Sequence, residues 1–345
     1  MLLEEIPFEM YLEIFKYLDA INIYYGFYDL NKRINSVLSQ MRLCFNYSDK
    51  SNDRFASILD TFERQQVYSF TLSSGVIAVF YSMFTLIQFN NLRTLKLLGI
   101  TNEHLDRIAS ELLRLKHLTQ LHVETLIQTD ESYDYNRILQ ISTLKICLLK
   151  LYSKNHLYFS MPLLFNSSIE CLTICLNYFD DLYIFLQCMP KLKRLIVNVY
   201  TTEDAKGMNN NNISELTVAN LVYFKLMIKD YNVDVQIYEP LKELLMHLPK
   251  LAYFELLSFC ASFRDGHWWK NVLCKLLHLK TFSCGFMVWK RNQPRNIPLF
   301  GEQFVESFQT PFWLNERKEW GIRCEKTPGC IYVYTSKRCV SITHV

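Results

Sequence analysis

Glycine and proline are scarce, nine of each in 345 residues, which excludes extended Gly/Pro-rich linkers. An excess of one charge is missing too. The 37 Lys and Arg nearly balance the 34 Asp and Glu, for a net +3. A chain that binds nucleic acid through a basic patch needs clustered Lys and Arg, so no nucleic-acid partner is expected. No Cys-x-x-Cys pair occurs; the nearest cysteines are Cys171 and Cys175. The eleven cysteines are scattered and odd in number, and they read as small buried hydrophobes in a reducing compartment. There is no Gly-rich phosphate loop, no His-Glu-x-x-His and no paired Cys/His zinc spacing, and the eight histidines are dispersed. No catalytic residue, metal or cofactor is expected on these grounds. Glu4 and Glu5 stand where a secretory signal carries positive charge, so no signal peptide is expected, and the three Asn-x-Ser sequons at Asn46, Asn166 and Asn212 carry little weight. A cytoplasmic or nuclear location follows as the expectation.

Half of the residues are hydrophobic and 21% are charged, the balance of a well-buried globular chain. One run, Val67 to Phe89 (VYSFTLSSGVIAVFYSMFTLIQF), has no charge and is long enough to span a bilayer. Ser69, Thr71, Ser73, Ser74 and Gly75 interrupt its first third, which favours a strand, a turn and a buried helix over a membrane span.

The main organising feature is internal repetition. Segments such as Leu115-Lys116-His117-Leu118-Thr119-Gln120-Leu121 and Leu248-Pro249-Lys250-Leu251-Ala252-Tyr253-Phe254 each end a helix-like stretch and begin an apolar alternation of the form L-x-x-L-x-L. The central apolar residue can be followed as Phe70, Leu95, Leu121, Leu149, Leu172, Leu195, Phe224, Phe254 and Phe282, at spacings of 25, 26, 28, 23, 23, 29, 30 and 28. Such a unit cannot bury its apolar face alone, so units stack. The helices between strands are readable at Asn102–Leu115, with Leu105, Ile108 and Leu112 on one stripe and Thr101 or Asn102 as cap, at Leu182, Phe185, Leu186 and Met189, and at Leu241, Leu244, Leu245 and Leu248.

These units resemble leucine-rich repeats. Only Ile169 to Phe179 carries the full consensus, including the turn asparagine at Asn177; most other units lack it. The resemblance implies an α/β solenoid, a curved array of short parallel strands and helices, over residues 46–345. Residues Thr201 to Asn212 read as a polar loop between repeats. Trp320–Cys324 and Cys330–Tyr334, on either side of Thr327-Pro328-Gly329, read as a closing hairpin, with Phe312, Trp313 and Trp320 as capping side chains.

Residues 1–45 read as a small separate all-α module. Ile6-Pro7, Glu9, Leu12, Ile14-Phe15 and Tyr17-Leu18 match the first half of an F-box pattern; Phe27, Leu30, Asn31, Arg33, Ile34 and Leu38 match its second half more loosely, without the Cys and aromatic often found there. The stretch resembles an F-box. An F-box followed by leucine-rich repeats is similar to a class of ubiquitin-ligase substrate receptors. That resemblance implies a non-catalytic chain that docks on a Skp-family adaptor, and through it on a cullin–RING ligase, using Ile6, Pro7, Leu12, Phe15 and Leu18 as apolar anchors.

The repeats would then bind a protein target through strand residues on the concave side. The expected ladder runs Thr71, Lys96, His122, Lys150, Thr173, Ile196, Lys225, Glu255 and Ser283, with Thr94, Gln120, Arg194, Tyr223 and Tyr253 beside it. The residues expected to contact the target are Lys96, His122, Lys150, Arg194, Lys225, Tyr253 and Glu255. The other reading is a repeat scaffold unconnected with ubiquitination, whose N-terminal helices only cap the array.

Overall fold

The computed structural model describes residues 6–48, 55–125, 136–150, 167–176, 178–200, 218–229, 237–258, 266–289, 306–326 and 330–335. The loop expected at Thr201–Asn212, Asn177 and the hairpin turn at Thr327–Gly329 lie outside these residues. The chain divides into two compact units, Met1–Met161 and Pro162–Val345.

The first unit opens with three short helices, α1 (Phe8–Phe15), α2 (Ala20–Phe27) and α3 (Lys32–Leu38). Each of the last two starts where a side chain caps it. Asp19 accepts the Asn22 N–H at 2.8 Å and Asn31 accepts the Ile34 N–H at 2.8 Å. The Arg33 guanidinium on α3 donates to the Ile6 carbonyl at 2.9 Å, holding the approach to α1. Tyr11 and Phe15 are buried, and Phe15 packs its ring edge against Phe27 at 4.8 Å.

Five parallel strands follow in sequential order, β1 (Leu43–Tyr47), β2 (Val67–Ser73), β3 (Thr94–Ile100), β4 (Gln120–Thr125) and β5 (Ile146–Lys150). β1 spans the expected 45/46 boundary and pairs with β2, so the helical module and the strands form one compact unit. Between strands lie α4 (Phe55–Thr61), α5 (Ser74–Met83), α6 (Asn102–Leu112) and a single turn, α7 (Asn136–Leu139). The charge-free run from Val67 is therefore a strand followed by a ten-residue helix. No helix among the described residues is long and apolar enough to cross a membrane. The Thr101 side chain accepts from the His104 N–H at the start of α6. Gly99 has φ of 64°, a left-handed conformation that glycine adopts without strain, and it makes the bulge where the β3–β4 register shifts.

The second unit has the same plan: β6 (Cys171–Leu176), α8 (Asp181–Gln187), β7 (Arg194–Val199), β8 (Tyr223–Ile228), α9 (Tyr238–Met246), β9 (Tyr253–Ser258), α10 (Gly266–Leu273) and β10 (Thr281–Trp289). β6 to β10 pair in parallel. β11 (Ile322–Lys326) and β12 (Cys330–Thr335) form the expected antiparallel hairpin, and β12 pairs antiparallel with β10. Trp313 and Trp320 are buried beside Phe282, at 6.3 and 5.9 Å, and Phe312 packs on both.

The L-x-x-L-x-L reading explains the core. Leu92, Leu95 and Leu97, then Leu118, Leu121 and Val123, are buried in the first unit; Leu221, Phe224 and Leu226, then Leu251, Phe254 and Leu256, are buried in the second. One position differs from expectation. Leu121 is level with Cys147, and Leu149 is level with Val123. Cys147 occupies the central apolar place of its unit, following Leu144, and a buried thiol packs there as a small hydrophobe. Burial pushes that thiol up to about 12.

The turns before β4, β5, β7, β8, β9 and β10 share one backbone linkage. The Arg93 carbonyl accepts N–H bonds from both Thr119 and Gln120, and the Thr119 carbonyl from both Lys145 and Ile146. In the second unit the carbonyls of Glu170, Lys193, Val222 and Ala252 each take two N–H groups from the next repeat in the same way, at 2.8–3.0 Å. Successive strands are thereby held in step whatever their side chains.

Candidate functional site

Strand residues alternate between a buried face and an open one, so the open faces of the two units present the candidate residues. In the first unit, Thr71, Lys96 and His122 are level with one another as expected, but His122 is level with Leu148. Lys150 sits two residues further along its strand, level with Glu124. This corrects the expected ladder, and the cause is the Cys147 register described above. Three of the polar groups still gather. Glu124 lies 3.7 Å from both the Lys150 ammonium and His122 Nε2. Burial, then the Lys150 charge, hold the His122 pKa below its ordinary value; Glu124 opposes them and Lys96 adds to them. The imidazole is therefore neutral near pH 7, and its approach to Glu124 is no ion pair there. Lys96 is exposed and makes no ion pair with a described carboxylate.

The second unit brings its candidates closer together. Arg194, Tyr223 and Tyr253 are level with one another on β7, β8 and β9; Ile196, Lys225 and Glu255 form the next row. The Arg194 guanidinium lies over the Tyr223 ring at 3.9 Å from its centroid. Tyr223 Oη donates to Glu255 at 2.9 Å, and the Lys225 ammonium bridges the same carboxylate at 3.2 Å. The Tyr253 ring stands 6.4 Å from that of Tyr223. Arg194, Lys225, Tyr253 and Glu255 thus form one cluster, and Tyr223, placed beside the ladder but outside the expected contact set, joins them. Its position next to Arg194 on the neighbouring strand was the sequence signal for that role. Thr335, from the closing hairpin, donates to Ser283 at 3.1 Å at the end of the row.

The expected adaptor anchors divide. Phe15 is buried in the module core against Tyr11 and Phe27. Leu12, Leu18 and Ile6 are half-buried, and Pro7 is exposed at the helix start. The large apolar side chains left in solvent here are Met10 and Ile14 on α1 and Tyr17 in the turn just past its end, at 53%, 41% and 87% exposure. Met10 and Ile14 stand at i and i+4 on one stripe, and the twelve-fifteen-eighteen spacing read from the sequence instead takes in a core residue. Tyr25, Tyr28 and Leu30 are also exposed in the same module.

Among the described residues no group of three or more His, Cys, Asp or Glu side chains is placed to hold a metal ion. Cys171 and Cys175 are free thiols, two residue pairs apart on β6. No family model matches the chain, and no curated protein matches it.

Proposed function

We propose that the chain is a non-catalytic substrate receptor of a Skp–cullin–F-box ubiquitin ligase, in which the N-terminal helices dock on the Skp-family adaptor and the open strand faces bind the target protein. The observation that supports this best is the exposed apolar pair Met10 and Ile14 on α1, with exposed Tyr17 in the turn just past the helix end. An amphipathic helix that presents anchors at i and i+4 fits a hydrophobic groove. Half-buried Leu12 lies on the opposite side of α1 from Met10 and Ile14, and Phe15 is buried in the module core. The order of parts, a three-helix module followed by strand–helix repeats with a polar and aromatic open face, fits a receptor that binds adaptor and target with different regions.

The test is co-purification of the full chain with a Skp-family adaptor. Ile14→Asp combined with Tyr17→Asp should abolish capture and leave the thermal melt unchanged, because both side chains face solvent. Phe15→Ala should lose capture and stability together. Undiminished capture by the folded Ile14→Asp/Tyr17→Asp variant would sink the docking mode. A chain that binds no adaptor at all would be a repeat scaffold.

A further inference from the structure

The second unit's open face carries a charge pattern that specifies a ligand. Arg194 is exposed, and its guanidinium carbon lies over the Tyr223 ring, 3.9 Å from the centroid. It makes no ion pair with any carboxylate among the described residues. Glu255, the only carboxylate in this cluster among the described residues, is already engaged twice, by Tyr223 Oη at 2.9 Å and by Lys225 at 3.2 Å. The cluster therefore holds two cations against one anion, and the uncompensated cation is the one on the surface. Beside it Tyr253 presents a ring that is 42% exposed. All of these side chains project from neighbouring strands, about 4.8 Å apart, so the guanidinium and the free ring are separated by roughly 10 Å on a rigid floor.

We propose that this face takes an acidic polypeptide segment, with a side-chain carboxylate held by the Arg194 fork and an apolar neighbour laid on the Tyr253 ring. A planar guanidinium matches a carboxylate bidentately, and the contact with the Tyr223 ring holds it in place before the ligand arrives. A basic segment meets two cations and is repelled. A nucleic-acid strand needs a track of several cations along its backbone, and this face offers one exposed arginine. The inference rests on the reading of the open face as the target-binding surface and is independent of adaptor docking.

The experiment uses the full chain and a fluorescently labelled oligo-glutamate peptide, with oligo-glutamine, oligo-lysine and a single-stranded oligonucleotide as comparison probes. Oligo-glutamate should bind, more weakly as salt rises, and the other three should not. Arg194→Gln should weaken binding about tenfold, the loss expected for one charge-assisted contact. Arg194→Lys should fall between the two, since it keeps the charge and loses the fork. Glu255→Gln should tighten binding by removing the anion. Lys193→Gln, an exposed neighbour paired with Glu170, should change little. Equal losses from Lys193→Gln and Arg194→Gln would show non-specific charge attraction and overturn the proposal, as would tighter binding of the oligonucleotide. If Arg194→Gln fails to fold, Tyr253→Ala decides, measured with a peptide of alternating glutamate and leucine: its ring is on the surface, and unchanged affinity for that peptide overturns the proposal. A chain that captures the adaptor but not oligo-glutamate refutes this inference alone; one that binds oligo-glutamate but not the adaptor refutes the ligase reading alone.

Discussion

The two open faces occupy equivalent strand positions and differ in how their charges are held. In the first unit, Lys96 makes no ion pair among the described residues, and Glu124 is shared at 3.7 Å by Lys150 and a neutral His122. In the second, Lys225 and Glu255 meet at 3.2 Å with side chains only 23% and 12% exposed, and Tyr223 ties them to Arg194. The difference traces to the neighbouring row. Thr94 and Gln120 flank the charged positions in the first unit; Tyr223 and Tyr253 flank them in the second. An aromatic neighbour supplies both a platform for a cation and a hydroxyl donor for a carboxylate, and so converts separate surface charges into a fixed cluster. The same backbone thus carries one adaptable face and one rigid one.

The strongest way to break the rigid face is to remove its floor. Phe254 is buried, stacked on Phe224 at 5.5 Å and tilted against Phe282 at 5.8 Å. Phe254→Ala should cost about 3–5 kcal/mol in a urea melt, with hydrogen exchange rising in the second unit. Next in size is a charge reversal made on both faces. Lys225→Glu sets a second carboxylate beside half-buried Glu255 and should cost about 2–3 kcal/mol, whereas Lys96→Glu should stay within about 0.5 kcal/mol. Equal costs would erase the contrast between the faces. Tyr223→Phe keeps the ring and removes the hydroxyl, so a loss of about 1–2 kcal/mol is expected; no loss would mean that Glu255 is held by Lys225 alone.

The smallest effect is a divergence with pH. His122 has its folded pKa below the ordinary 6.5, so the unfolded chain binds more protons below that value and the first unit loses stability as pH falls through it. In the second unit, burial pushes the Asp181 carboxyl from 3.8 up to about 6, with Asp180 adding to the effect and a hydrogen bond from the Tyr178 backbone opposing it. There the folded chain binds the extra proton, and stability rises as pH falls from 6 toward 3.8. Hydrogen exchange measured between pH 4 and 7, scales set by those two values, should show the two units moving in opposite directions. His122→Asn should flatten the first trend and Asp181→Asn the second.

Much of the fold was legible because the L-x-x-L-x-L spacing is a direct consequence of burial, and its strand, helix and hairpin positions follow from it. The β5 register was not, because Cys147 fills a place that pattern reading reserves for leucine; burial decides such a position, and residue type does not announce it. The exposed side of α1 was harder still. Between Ile6 and Leu18 apolar residues stand at nearly every place, so both a Leu12–Phe15–Leu18 stripe and a Met10–Ile14–Tyr17 stripe fit the sequence, and only the packing of Phe15 on Phe27 separates them. The Arg194–Tyr223–Glu255–Lys225 connection needed side-chain geometry, although the rows that bring those residues side by side were readable.

The twofold carbonyl acceptors before β4, β5, β7, β8, β9 and β10 have a consequence for how such a chain changes length. The six residues that supply them are Arg93, Thr119, Glu170, Lys193, Val222 and Ala252, which share no chemistry. Since this linkage asks only for a peptide group, it survives when a whole strand–helix unit is duplicated or excised, and only the added side-chain bonds, such as Thr143 to the Leu118 carbonyl and Asn220 to the Pro190 carbonyl, depend on the residues at the seam. Excision of 93–118 would let the Tyr68 carbonyl, which now receives the Arg93 N–H at 2.9 Å, receive the Thr119 N–H in its place. A chain of this construction can therefore lengthen or shorten its open strand face in whole steps, and change its chemistry afterwards one side chain at a time.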